Sequence, residues 1–250
     1  MGIQCSGNRE GEKVLDIPYY EHVCSKIEEK LVLPTLTLKD LVSEIKAIER
    51  TQGLFTSESI IKIFEDRGVS KENFLAPGSI YQELLPDYAE CDMCSNYLLS
   101  TALPFCGGSI GEKKDILWQV LQPQEGKAER KVLKNIVKMM IALCVKTIPE
   151  IAVKDLENRG DIIEDADIIL LLQSDDLKVE QYANRFYLDQ LKGINENYKI
   201  GGNVSKVLTR YEYDLWMLKV NEERLLSSSG NREVFIKYVK NLTEGESKYK

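Results

Sequence analysis

Cys94-Ser-Asn-Tyr-Leu-Leu-Ser-Thr-Ala-Leu-Pro-Phe-Cys-Gly-Gly-Ser-Ile-Gly-Glu-Lys-Lys-Asp-Ile-Leu-Trp-Gln-Val-Leu121 is the stretch whose reading decides the fold. Its first part carries apolar residues at helical spacing. Gly107 and Gly108 then break the run, and Ser109, with Glu112 three residues on, opens a second apolar run. Ser-x-x-Glu in that position is a capping box. The serine oxygen accepts from a free backbone N–H of the first turn, and the glutamate accepts from the serine's own N–H. The segment therefore predicts a helix, a short Gly-Gly-Ser linker and a second helix.

The same period extends outward in both directions. It begins near Tyr19 and recurs over Leu38–Ile48, where Leu38, Leu41, Val42, Ile45 and Ile48 share a face. Ser57–Asp66 follows, with Ile60, Ile61 and Phe64 apolar and Gly68 as a stop. Further helices are expected over Ile80–Leu85, Asn96–Leu103, Glu112–Leu121 and Val132–Val145, with Pro149 interrupting the run. Leu177–Leu191, Tyr211–Leu226 and Asn231–Tyr238 complete the set. No stretch of useful length alternates as a half-buried strand does. The expectation is an all-α chain with at most very short strand pairings between loops. It divides into a flexible polar tail at residues 1–13, a lobe at 14–148, and a second lobe at 149–250 that carries an inserted helical segment.

Composition removes several classes of function. The chain has 33 Lys and Arg against 40 Asp and Glu, a net charge of −7, with the cations scattered among acids. Nucleic-acid binding needs a concentrated basic face, so it is not expected. No apolar run approaches the roughly 20 residues that span a bilayer, and no secretory apolar segment opens the chain. Six cysteines in such a chain read as reduced thiols in a cytoplasmic setting, and the sequons at Asn203 and Asn241 as chance. Cys91, Cys94 and Cys106, with the distant His22, do not make the four paired ligands of structural zinc. His22 and Cys24 are two residues apart on a helix and face different ways. Gly107-Gly108 and Gly201-Gly202 lack the residues that complete a phosphate loop. No enzyme, cofactor or metal is expected. The opening Met1-Gly-Ile-Gln-Cys-Ser6 matches a myristoylation pattern, with Gly2 as acceptor and Cys5 placed for a second acyl chain. Such acylation is the only route to a membrane that the sequence offers.

Four helix-loop-helix candidates, centred on Phe55, Met93, Ala128 and Leu208, together with the Gly108–Lys113 linker, Gly53 and Gly126, resemble EF-hand proteins of the calcineurin-B-like and neuronal-sensor-like layout. The resemblance covers roughly residues 38–145 and 180–220, with an insertion at Val145–Gln181. It implies EF-hand-like pairs in two lobes, the Met93 and Ala128 loops lying side by side. Calcium in such loops needs oxygens at positions 1, 3, 5, 7, 9 and 12, the last a bidentate Glu, with Gly at 6. Here Pro86, Tyr88, Glu90, Cys91 and Tyr97 hold those places in the Met93 loop, and Gln122, Gln124 and Val132 in the Ala128 loop. Ile48, Arg50 and Ser59 hold them in the Phe55 loop. Only the Leu208 loop keeps its closing acid, Glu212, after a leading half whose sole carboxylate is Glu196. The resemblance thus implies a non-enzymatic, calcium-independent scaffold or adaptor that clasps a partner's amphipathic helix. Axonemal, ciliary and cytoskeletal complexes use such modules, which is a family-level analogy. Phe105, Trp118, Leu121, Met139 and Met140 would line one groove, and Tyr187, Tyr213, Trp216 and Met217 the other. Two alternatives stand beside it: a membrane-tethered weak calcium sensor acting through the Leu208 loop, and an unrelated helical subunit of an oligomer.

Overall fold

A computed structural model describes residues 18–86, 94–121, 127–161, 163–191, 194 and 207–247. The described chain is almost wholly helical, as the apolar periodicity predicts. In order come α1 (Tyr19–Lys30), α2 (Leu38–Gln52), α3 (Ser57–Glu65), α4 (Lys71–Leu75), α5 (Ile80–Leu84), α6 (Cys94–Ala102) and α7 (Ile110–Leu121). Strand β1 (Lys127–Glu129) runs straight into α8 (Arg130–Ala142), which is followed by α9 (Ile148–Asn158), α10 (Ala166–Leu172) and α11 (Asp176–Ala183). Strand β2 (Val207–Thr209) runs into α12 (Arg210–Val220), then α13 (Glu222–Leu225) and α14 (Ser228–Ser247).

Local chemistry sets the helix starts. Thr37, Thr56, Ser70, Ser79 and Thr209 each cap a helix by accepting from the third backbone N–H that follows. The box read from Ser109 and Glu112 is present. Ser109 N–H donates to Glu112 Oε2 at 2.9 Å, and Glu112 N–H donates to Ser109 Oγ at 3.2 Å. The linker before it is tied down from outside. Gly107 N–H donates to the Leu36 carbonyl at 2.8 Å, and Leu38 N–H donates to the Gly107 carbonyl at 2.9 Å. A Cβ at Gly107 would lie 3.4 Å from that Leu36 oxygen, so the close approach favours glycine.

Pro149 does not end a helix, contrary to the sequence expectation. The chain stays helical from Arg130 to Asn158 through a π turn at Leu143–Thr147, in which Ile148 N–H donates to the Leu143 carbonyl. Proline has no N–H to give and its ring crowds a regular ladder, and the widened turn absorbs both defects. A second π turn, Asn184–Leu188, extends α11. The insertion expected at Val145–Gln181 thus forms α9, α10 and the start of α11. These pack back on the body, α9 against α1, α10 against α9 and α14, and α11 against α8.

The strands pair antiparallel, Lys127 with Thr209, Ala128 with Leu208 and Glu129 with Val207. The Ala128 segment therefore pairs with the Leu208 segment. Met93, at the centre of its expected neighbour, lies outside the described residues. Two chain segments about eighty residues apart come together because helices before and after them share a buried face. One contiguous apolar core runs from Tyr20 to Val239 and draws on helices on both sides of residue 148. Residues 1–13, the expected tail, lie outside the described residues.

Candidate functional site

The β1–β2 pair and the helices leaving it form the site that the sequence reading singles out. Thr209 ends β2 and caps α12. Its N–H and Oγ1 both donate to Glu212 Oε2, at 2.8 and 3.0 Å, while Glu212 N–H donates to Thr209 Oγ1 at 3.3 Å. One carboxylate oxygen of Glu212 is thereby committed to the cap. The other, Oε1, lies 3.6 Å from a guanidinium nitrogen of Arg130, at the start of α8 on the opposite strand's side. Both side chains are largely buried. Burial pushes the Arg130 guanidinium below its usual range, and the charge of Glu212 opposes that shift. Arg130 stays charged at any ordinary pH.

The geometry tells against a cation at Glu212. A bidentate ligand must offer both oxygens to the ion. Here one oxygen faces two donors and the other faces a fixed positive charge. Across the pair, Val132 is half-buried against the apolar core. In the Phe55 loop α2 runs on to Gln52, so Ile48 and Arg50 sit within a helix. Gly53, at φ 78°, then caps it. Ser59 is buried, and its hydroxyl accepts from Thr56 N–H at 3.2 Å in a second capping box. Tyr97 packs against the core. Tyr88, Glu90, Cys91, Gln122, Gln124 and Glu196 lie outside the described residues, as do Gly2 and Cys5. Among the described residues no group of three or more His, Cys, Asp and Glu is arranged to hold a metal.

The residues expected to line two partner grooves are mostly interior. Phe105, Trp118, Leu121, Met140, Tyr187, Tyr213, Trp216 and Met217 are buried, and Met139 is half-buried at the edge of the core. Some meet one another, across the two expected grooves at Trp118–Tyr213 and within the second at Trp216–Tyr187. The Trp118 and Tyr213 rings lie 5.0 Å apart, and Trp216 Nε1–H donates to the Tyr187 carbonyl at 2.8 Å. Tyr213 Oη–H donates to the Lys114 carbonyl at 2.7 Å, which ties α12 to α7. Arg210 covers this cluster, 5.6 Å from both the Trp118 and Tyr213 rings, and pairs with Asp115 at 2.5 Å and Asp214 at 3.0 Å. An apolar face meets another apolar face of its own chain before it can wait for a partner.

What α12 leaves outside is a different stripe. Tyr211 and Leu218 are 62% and 72% exposed, and half-buried Leu215 stands between them. They recur at i, i+4 and i+7, which the sequence shows once the buried set of Tyr213, Trp216 and Met217 is assigned.

Sequence reading also missed a buried charge network. Arg232 on α14 is fully buried. Its Nε and Nη2 donate to the two oxygens of Glu21 at 2.8 and 2.6 Å, and its Nη1 to Glu28 Oε1 at 2.6 Å and Ser228 Oγ at 2.7 Å. Nothing in Asn231-Arg-Glu-Val marks that arginine from the sequence alone, because its carboxylate partners lie some two hundred residues away. Beside it Tyr187 Oη–H donates to Asn231 Oδ1 at 2.9 Å. Lys113, also buried, donates to the Leu226 carbonyl at 3.1 Å, and burial lowers its pKa. The thiols of Cys24, Cys106 and Cys144 are free and buried, and desolvation pushes each up to about 12. They are protonated and unreactive near neutrality. His22 is exposed and faces away from Cys24.

No family model matches the chain, and neither a curated protein nor a solved structure matches it.

Proposed function

We propose that the chain is a non-enzymatic, calcium-independent adaptor built on an EF-hand-like loop pair, and that it holds an amphipathic helix of a partner protein. The observation that carries the calcium-independent part is the occupied carboxylate of Glu212, capped by Thr209 on one oxygen and faced by Arg130 at 3.6 Å on the other. Arg130 supplies from within the chain the positive charge that calcium would bring. The register supports the EF-hand-like part, since it sets Ala128 opposite Leu208, the hydrophobic centres of the two loops. Each strand leads directly into a helix, as the closing half of such a loop does.

Support for a helical partner comes from the outer face of α12. Tyr211, Leu215 and Leu218 form an apolar stripe one helix wide, the spacing by which a second amphipathic helix is read. Partner binding moves there from the interior residues because those already pack on one another.

Calorimetric titration with calcium and affinity capture from native extract test the two parts. Calcium should give no saturable heat, and the melting temperature should be equal in millimolar calcium and in chelator. Binding tighter than about 10⁻⁵ M, the sensor range, would sink the calcium-independent reading. Tyr211→Asp and Leu218→Asp should abolish capture of the partner that the wild-type chain retains, with helicity by circular dichroism unchanged. Equal capture by both variants would move the partner face elsewhere.

A further inference from the structure

We propose that the surface pocket between the π turn Asn184–Leu188, the α12–α13 junction and α14 binds a compact, phosphate-dense anion, such as an inositol polyphosphate free in solution or as a lipid headgroup. The pocket has a volume of about 350 Å³ and is lined by Arg185, Lys219 and Arg224 with no carboxylate on its wall. That charge pattern runs against the chain as a whole, whose net charge is −7.

Other surface cavities show how unusual it is. In the cavity between α1, α5 and α9, Lys30 pairs with Asp155 at 2.7 Å and Lys154 with Glu83 at 3.0 Å, so each cation is answered within the wall. The cavity over α3 sets Lys62 and Lys71 among Glu58, Glu65 and Asp66. Among the described residues no ion pair within 4 Å engages Arg185, Lys219 or Arg224, and the longer-range influence on Arg224 comes from Glu233, outside the pocket wall. Asp189, Glu222, Glu223 and Glu233 flank the pocket in sequence without lining it. Glu222 lies 3.7 Å from Lys114, and Glu233 pairs with Lys237.

The pocket is also partly built. Arg185 lies over the rings of Phe186 and Tyr238, 5.9 and 5.8 Å from their centroids, which orients its guanidinium without neutralising it. Asn221 adopts a left-handed backbone, φ 56°, and its Oδ1 accepts from Arg224 N–H at 3.3 Å. That bond turns the chain so that Lys219 and Arg224 share one wall, and it leaves the Asn221 amide nitrogen as a further donor. Guanidinium forks match phosphate oxygens bidentately, and a lysine adds a point charge. Three cations confined to one pocket on an acidic surface suit a small, highly charged anion. A long polyanion would meet repulsion outside the pocket.

The test uses the full chain with inositol hexakisphosphate by calorimetry, and with phosphatidylcholine vesicles with and without phosphatidylinositol bisphosphate by co-sedimentation. Wild type should bind the free probe saturably, and the double variant Arg185→Ala/Arg224→Ala should weaken it by tenfold or more, about 1.4 kcal/mol per tenfold. Lys219→Ala should weaken it less, and Lys62→Ala not at all. The three cations are exposed, so unchanged thermal melts should accompany the loss. Sedimentation only with bisphosphate-bearing vesicles assigns the lipid headgroup; binding of the free probe alone assigns a soluble ligand. Absence of saturable binding in both arms, or equal affinity in the double variant, overturns the proposal. So does capture of a phosphopeptide with neither probe bound.

Discussion

Arg232 and Arg130 each bring a guanidinium to a carboxylate across the fold, the first with four side-chain contacts between 2.6 and 2.8 Å, the second at the longer distance of 3.6 Å from Glu212 Oε1. The first joins α14 to α1, with its guanidinium wholly buried and its two carboxylate partners 15% and 18% exposed. The second joins the starts of the two helices that leave the strand pair, with both side chains largely buried. Desolvating a guanidinium is costly, and only a full set of fork-matched partners offsets it. Arg232 has that set, so its site is a clamp. Arg130 instead neutralises Glu212, whose remaining hydrogen bonds serve the α12 cap. One network holds α1 and α14 together, and the other neutralises the acid in the cap of α12.

The largest effect should come from breaking the clamp. Arg232→Ala leaves Glu21 and Glu28 without their cation and should cost about 3–5 kcal/mol in urea unfolding. Arg232→Lys should recover only part of that, because an ammonium cannot make the forked contact to Glu21. Arg130→Ala should cost less than Arg232→Ala, about 1–3 kcal/mol, because the Glu212 oxygen it leaves behind faces it at 3.6 Å rather than in a forked contact. Equal losses at the two arginines would erase the distinction between clamp and counter-ion. Thr209→Ala removes the cap that shares Glu212, and Ser109→Ala removes the cap of α7; each should cost about 1 kcal/mol. Thr209→Ala and Arg130→Ala should not add, since both act on one carboxylate, whereas Ser109→Ala should add to either. The smallest effect sharpens the contrast furthest. Arg130→Ala should show no rise in melting temperature with calcium, because Val132 and the Thr209 hydrogen bonds still deny the ion its oxygens.

Alkali tests the ground around the clamp. Cys24 and Cys144, both within the electrostatic reach of Arg232, have thiols raised from an ordinary 9.0 to about 12 by burial. A raised folded-state pKa means that the unfolded chain loses its protons first. Stability from these thiols is therefore complete below about pH 9 and declines from there toward pH 12. Urea midpoints measured across that range should fall for the wild type, and fall less for Cys24→Ala/Cys144→Ala relative to its own value at pH 8. A flat profile in the wild type would show that neither thiol is sealed.

Much of the helical layout could be read in advance, and for local reasons. The Ser109–Glu112 box, the stop at Gly68, whose φ is 87°, and the buried faces of α2 and α3 depend on neighbours three and four residues away. Pro149 was misleading because its effect depends on whether the preceding turn can widen, and the core side chains of Leu143, Cys144 and Val145 hold that widened turn in place. The aromatic residues Trp118, Tyr187, Tyr213 and Trp216 were legible as important apolar positions but not as one cluster. Burial against a partner and burial against one's own chain leave the same periodic mark. The cationic pocket left no mark at all, since Arg185, Lys219 and Arg224 are spread over forty residues of mixed charge.

By itself the sequence determined a mostly helical chain, the positions of most of its longer helices, and the capping box that opens α7. These follow from short-range backbone hydrogen bonding and from side-chain chemistry at single positions. Only the tertiary structure decided that Ala128 faces Leu208, that Arg130 answers Glu212, that Arg232 locks α14 to α1, and which apolar stripe of α12 stays outside. Each of these joins residues far apart in the chain, and the closing of such contacts is set by how the whole core packs, which no local pattern encodes.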